Sequence, residues 1–171
     1  MSENNLAKPD QRPKGLGVLS VLTLLFTGFG FLFDALLLFT LTPNEELIRT
    51  QKLAVAKQVI ELQKENNEDL VNLVRQLGEM NVVFINHHYA YRTVMMVIAL
   101  MGIFSVVLML RRRILGFHFY IIYSLFYIGS VYLFLSPSQV PNPLIWFNSI
   151  VAFIFILLYA RNRKWMEGNE A

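Results

Sequence analysis

Residues 16–41 read LGVLSVLTLLFTGFGFLFDALLLFTL. One charge, Asp34, interrupts the run, and no polar face wide enough to meet water winds along it. A helix on the surface of a soluble protein carries its apolar stripe on one side only. This run is apolar nearly all round, so the solvent it suits is hydrocarbon. At 1.5 Å per residue, about 20 residues cross the roughly 30 Å of a bilayer core. Three later stretches read the same way: 93–110 without a charge, 115–135 with only His118, and 143–160 without a charge. The composition follows, with 55% of the 171 residues hydrophobic and 16% charged, where soluble domains carry about 25% charged.

Lys8, Arg12 and Lys14 precede the first run as the basic start of a signal peptide would. The run is longer than a signal core of about 7–15 residues, and no small-x-small cleavage site follows it, so it reads as a retained helix. The chain has no cysteine, which excludes disulfides, thiolate catalysis and Cys-based metal sites.

The remaining charges set an orientation. With four crossings, the tail 1–15, the turn 111–114 and the tail 161–171 share one side. That side has nine Lys/Arg (Lys8, Arg12, Lys14, Arg111, Arg112, Arg113, Arg161, Arg163, Lys164) against four acids. The other side has the uncharged turn 136–142 and the segment 42–90, with five bases against seven acids, and Arg92 at the membrane edge. The positive-inside rule then makes both termini cytoplasmic. Trp146, Trp165 and Tyr91 fall where an interfacial aromatic belt would lie. Basic clusters at helix ends are a topology signal, and nucleic acid is not an expected partner.

The segment 42–90 reads as two helices. Thr42-Pro43-Asn44-Glu45 predicts a start, with Thr42 as N-cap, Pro43 in the first helical position and Glu45 closing a capping box. Asn66-Asn67-Glu68-Asp69 is a polar break between halves at about 43–65 and 68–90, each about 34 Å long as a helix. Equal lengths suit an antiparallel hairpin with both feet on the membrane. Leu70, Leu73, Leu77, Met80, Phe84, His87 and Tyr91 form a heptad seam on the second half. Ile48, Val55, Val59 and Leu62 offer a face on the first, with Leu53, Ala56 and Ile60 beside it. The two faces can pack on each other. The first half has apolar residues on more than one flank, which favours an extra contact with a second copy or a partner, through Leu70, Leu73, Leu77 and Phe84. A helix lying flat on the lipid is a third arrangement. His87-His88 cannot share one helix face, and no further His or Cys is near, so no metal site is expected.

Within the spans, small and polar residues recur at packing intervals: Ser20, Thr23, Thr27, Gly30 and Asp34 in the first; Ala99, Gly102 and Ser105 in the second; Gly116, Tyr120, Tyr123, Tyr127 and Ser130 in the third. Such stripes let helices approach closely and hydrogen-bond in lipid. Asp34 lies about 10 Å deep along the helix axis. A carboxyl group there is costly and a functional candidate. Tyr127, Ser130 and, less deeply, Asn148 fall at its level, and no Lys or Arg does, so a neutral or hydrogen-bonded carboxyl is expected rather than an ion pair. His118 lies near the cytoplasmic surface, roughly 20 Å from Asp34 in depth.

No H-E-x-x-H, phosphate-cradling glycine loop or G-x-S-x-G elbow occurs, and no catalytic residue or cofactor is expected. Arg12-Pro13 before the first span, Arg112-Arg113 running into Gly116-Phe117-x-x-Tyr120, and Tyr159-Ala160-x-x-Arg163-Lys164-x-Met166 in the tail resemble small four-helix inner-membrane proteins of Bacteroidota that have no assigned activity. The resemblance covers about half the chain, mainly the last three helices, and leaves the 42–90 hairpin outside. It implies a bacterial inner membrane and no particular chemistry.

The expected fold is all-α: an integral membrane four-helix bundle, spans 16–41, 91–110, 115–135 and 143–160, with an extracytoplasmic helical hairpin between the first two. The expected function is a non-enzymatic scaffold or interaction protein, its partners the lipid bilayer and either its own copies or another envelope protein. The alternative is an oligomeric channel or transport subunit using Asp34 for protons or cations. A membrane enzyme using Asp34 or His118 is the third reading, and it lacks a second catalytic group.

Overall fold

The computed structural model describes residues 12–64 and 67–167. All regular structure among them is helical: α1 Lys14–Thr40, α2 Glu45–Lys64, α3 Glu68–Asn86, α4 His88–Leu110, α5 Ile114–Gly129, α6 Asn142–Ala160 and the single turn α7 Arg163–Met166. Short 3-10 turns cover Ser130–Leu133 and Pro137–Gln139. Four helices are long and apolar enough to cross a membrane: α1, α4, α5 with its 3-10 extension to Leu133, and α6. The helix pair α2–α3 stands between the first two.

Both ends of the pair differ from their sequence reading. The cap of α2 is Asn44, not Thr42: Leu47 N–H donates to Asn44 Oδ1 at 2.7 Å. Pro43 disfavours a helical conformation in the residue before it, and Leu41 is already extended (φ −92, ψ 114). Four non-helical residues, 41–44, therefore separate α1 from α2, which do not form one rod. At the other foot the break is His87 alone (φ −101, ψ 27), so α3 stops at Asn86 and α4 starts at His88, three residues before the expected 91. In the polar break, Asn67 caps α3 by accepting from Leu70 N–H at 3.2 Å. Glu65 and Asn66 lie outside the described residues.

The core is built on α4, which packs along α1 on one side and α5 on the other. The stripes read from the sequence form these contacts. Ser20, Thr23, Thr27, Asp34, Ala99, Ser105, Tyr120, Tyr123 and Ser130 are buried. A Cβ added to Gly102 would lie 2.7 Å from Thr27 Cγ2 and 2.9 Å from Tyr123 Cε2, so all three helices meet at this glycine. A Cβ on Gly116 would come within 2.6 Å of the Ser105 carbonyl oxygen, a close backbone crossing of α4 and α5. Gly30 departs from its stripe: nothing lies within 4 Å of its added Cβ. The four spans share this core unequally. α6 buries one residue, Tyr159, and lies along α5 and α1. Its small residues Ser149 and Ala152, three apart, stay only half-buried.

The two ends are finished differently. At the arginine-rich end, Arg113 N–H donates to Leu108 O at 3.1 Å and Arg112 N–H to Met109 O at 3.0 Å, the paired bonds of a Schellman cap. Arg112 takes the left-handed position this cap needs, at φ 58, and its guanidinium lies 4.9 Å from the Trp165 ring centre. At the hairpin end, the rings of Phe84 and Tyr91 stack at 4.1 Å across the His87 break. Phe134 meets Tyr91 edge-on at 5.7 Å. The 3-10 turn Pro137–Gln139 rests on α3.

Candidate functional site

Helix α1 offers Asp34 and, one turn on, the carbonyl of Leu37. Helix α4 offers Arg92 and, one turn earlier, His88. The two helices run antiparallel, so these groups meet as two rungs. Arg92 Nη1 donates to Asp34 Oδ1 at 2.6 Å. His88 Nε2 lies 3.1 Å from Leu37 O. His88 is buried and spent on this contact, while His87 is exposed beside Phe134. No group of three or more His, Cys, Asp or Glu among the described residues could hold a metal ion.

The ion pair corrects the expectation that Asp34 has no cation within reach. Depth counted along two helix axes places Arg92 too near the surface. It ignores the length of the arginine side chain, which lets its head travel several ångströms from its Cα. Arg92 uses that length inward: its guanidinium lies 5.9 Å from the Phe33 ring centre and 5.2 Å from that of Tyr91. The sequence held only the four-residue spacing of His88 and Arg92, since Leu37 contributes its main-chain oxygen, which any residue there would offer. Asp34 and Arg92 side chains retain 10% and 20% of their exposure, so the pair is shielded without being sealed.

Beside Asp34 is a cavity of about 190 Å³, lined by Thr27, Gly30, Ala99, Tyr123 and Tyr127 among others. The space that a side chain at position 30 would fill is part of it. A second cavity, also about 190 Å³, lies toward the hairpin and is lined by Phe84, Tyr91, Ser130 and Asn148. Tyr127 and Met95 line both. The polar residues expected around Asp34 are therefore arranged in sequence rather than as a cage. Tyr127 shares its cavity, while Ser130 and Asn148 belong to the next. Ser130 Oγ donates to Tyr127 O at 2.9 Å, and among the described residues the Asn148 side chain makes no hydrogen bond.

Deeper polar groups are largely satisfied locally. Thr27 Oγ1 donates to Thr23 O at 2.7 Å, and Ser124 Oγ to Tyr120 O at 2.9 Å. Thr23 and Tyr159 hydroxyls pair at 2.9 Å, tying α6 to α1. Below the Asp34 cavity, the contact of Gly102 with Thr27 and Tyr123 forms a packed floor. His118 is exposed.

The hairpin carries the second candidate surface. Its inner face runs through Val71 and Gly78, and a Cβ on Gly78 would lie 2.6 Å from Val55 Cγ1. The expected seam through Leu70 and Leu77 is displaced, because the bare backbone at Gly78 lets α2 close on the neighbouring face. Leu70 and Leu77 remain 41% and 36% exposed, and Leu53 and Ile60 on α2 55% and 56%. Helix α2 buries no residue at all. Phe84 lies on the Leu70–Leu77 side of α3 but is covered by the Tyr91 and Phe134 rings, so it belongs to the joint with the spans. Leu73 is half-buried. Between α2 and α3 runs a groove of about 720 Å³, apolar at Val55, Ala56, Val59, Ile60 and Val82 and edged by Lys52, Arg75 and Glu79.

Comparison with protein-family models, with curated proteins and with solved structures finds no match.

Proposed function

We propose that this chain is a multi-pass membrane protein that presents the α2–α3 hairpin as an interaction surface on the extracytoplasmic side, with both termini in the cytoplasm of a bacterial cell and without an enzymatic step. One observation carries the reading: beyond the four apolar spans, α2 buries nothing, and Leu53, Ile60, Leu70 and Leu77 stay exposed. Inside the bilayer an exposed leucine is solvated by lipid. Outside it, apolar side chains left bare on both sides of a helix pair leave surface for a partner to cover. The orientation rests on nine basic residues at the other end.

The test is in-cell photo-crosslinking from Leu77 and Leu53. A discrete adduct from either position supports an interaction role. Absence of any adduct, with the protein at its normal level in the membrane, removes it.

The cavities beside Asp34 favour a second reading, an oligomeric channel or transport subunit. In that case Asp34→Asn abolishes an ion-dependent activity while the amount of folded protein stays constant. The Arg92 partner weighs against a cation site, because the pair is neutral as it stands.

A further inference from the structure

We infer that the occupant of the hairpin groove is a second copy of this chain, which inserts the Leu70–Leu77 ridge of its own α3. This deepens the interaction reading above and rests on it.

Ridge and groove lie on opposite sides of one hairpin. The groove takes Arg75, Gly78 and Glu79 from α3. Leu77 is two residues from both Arg75 and Glu79, close to half a turn of helix away. Neighbouring copies standing side by side can therefore offer ridge to groove without either surface folding onto itself.

A second copy in the same membrane meets the groove at the right height. The hairpin stands on spans that fix its distance from the bilayer, so two copies in one membrane meet only where residues are level. The Gly78–Val55 approach sets the antiparallel register. Stepping along it, Leu77 is level with Ala56 and Leu73 with Ile60. Ala56 and Ile60 line the groove, so the Leu73–Leu77 part of the ridge of one copy stands at the height of its neighbour's groove.

Charge agrees. Helix α2 has four bases, Arg49, Lys52, Lys57 and Lys64, against three acids. Helix α3 has three acids, Glu68, Asp69 and Glu79, against Arg75. The ion pairs among the described residues are Asp34–Arg92 and Arg163–Glu167, and neither joins α2 to α3. In the same register Asp69 beside the ridge is level with Lys64, one turn beyond Ile60 where the groove ends. A ridge-to-groove contact uses different surfaces on its two sides, so it is heterologous and extends to a ring or a row.

The native chain has no cysteine, so introduced thiols report alone. Leu77→Cys and Ala56→Cys change exposed residues. The two variants are co-expressed with different tags and oxidised in membranes with copper phenanthroline. The expected result is a covalent dimer carrying both tags, while each variant expressed alone stays monomeric. Leu77→Cys dimerising with itself as well as with Ala56→Cys overturns the ridge-to-groove arrangement. No thiol-linked dimer, together with a photo-adduct from Leu77 to a different protein, overturns the second copy as occupant and leaves the interaction reading standing. Neither dimer nor adduct overturns both.

Discussion

At the scale of single residues, the Asp34–Arg92 contact is the most consequential feature of the spans. A lone carboxylate or guanidinium at this depth costs several kcal/mol, and pairing recovers much of it. Asp34→Asn or Arg92→Gln alone therefore leaves one uncompensated charge. Both single changes should lower the melting temperature of the detergent-solubilised protein, and the double change should lose less than their sum. The expected coupling is about 0.5–3 kcal/mol, toward the lower end because Arg92 keeps some exposure. Strict additivity in a double-mutant cycle would mean the contact contributes nothing. Asp34 was legible in the sequence as the one acid in an apolar run. Its partner was not, because counting residues along an axis measures where a Cα sits and not where five bonds of side chain reach.

At the scale of elements, the glycines separate contact from space. Gly102→Ala pushes a methyl group to 2.7 Å from Thr27 and 2.9 Å from Tyr123, an overpacking expected to cost about 1–3 kcal/mol. Gly30→Ala meets nothing within 4 Å and should leave the melting temperature unchanged. A loss at position 30 equal to that at 102 would show that the Asp34 cavity is closed in the folded protein. Gly78→Ala drives against Val55 and should loosen the hairpin while sparing the spans, seen as faster proteolysis within α2 at constant melting temperature. The stripe spacing revealed which residues of α1, α4 and α5 face inward. It did not reveal which of several apolar faces α2 and α3 would choose. Leu70 and Leu77 repeat at the same interval as Val71 and Gly78, so periodicity alone cannot rank the two. The glycine, by removing a side chain from one face, decides.

At the scale of the whole molecule, charge and packing give the chain a direction. The arginine-rich end is closed by the Arg111–Arg113 turn and by α7, whose Met166 is buried with Leu16 and Tyr159. Lys57→Cys in α2 should react with a membrane-impermeant maleimide on intact cells, and Glu167→Cys should react only after permeabilisation. The reverse pattern would invert the protein and place the hairpin inside the cell. Four spans and a helix pair between the first two were legible from hydropathy and charge. The unequal sharing of the core was not, since α6 is as apolar as the others and carries Ser149 and Ala152 at the same three-residue interval as Ala99 and Gly102 in α4.

The two feet of the hairpin are unequal, and this has a mechanical consequence. The foot of α2 is a four-residue non-helical link, which transmits less bending than a continuous helix. The foot of α3 is a single-residue joint, braced by the Phe84–Tyr91 stack, and it continues into the helix that holds Arg92. With 19 residues above the joint, α3 is a lever about 28 Å long, and a tilt of about 10° moves its tip about 5 Å. A load applied to the tip is therefore delivered through α3, as torque on the first turns of α4 beside the rung that holds Asp34 and as pressure on Phe134 and the Pro137–Gln139 turn.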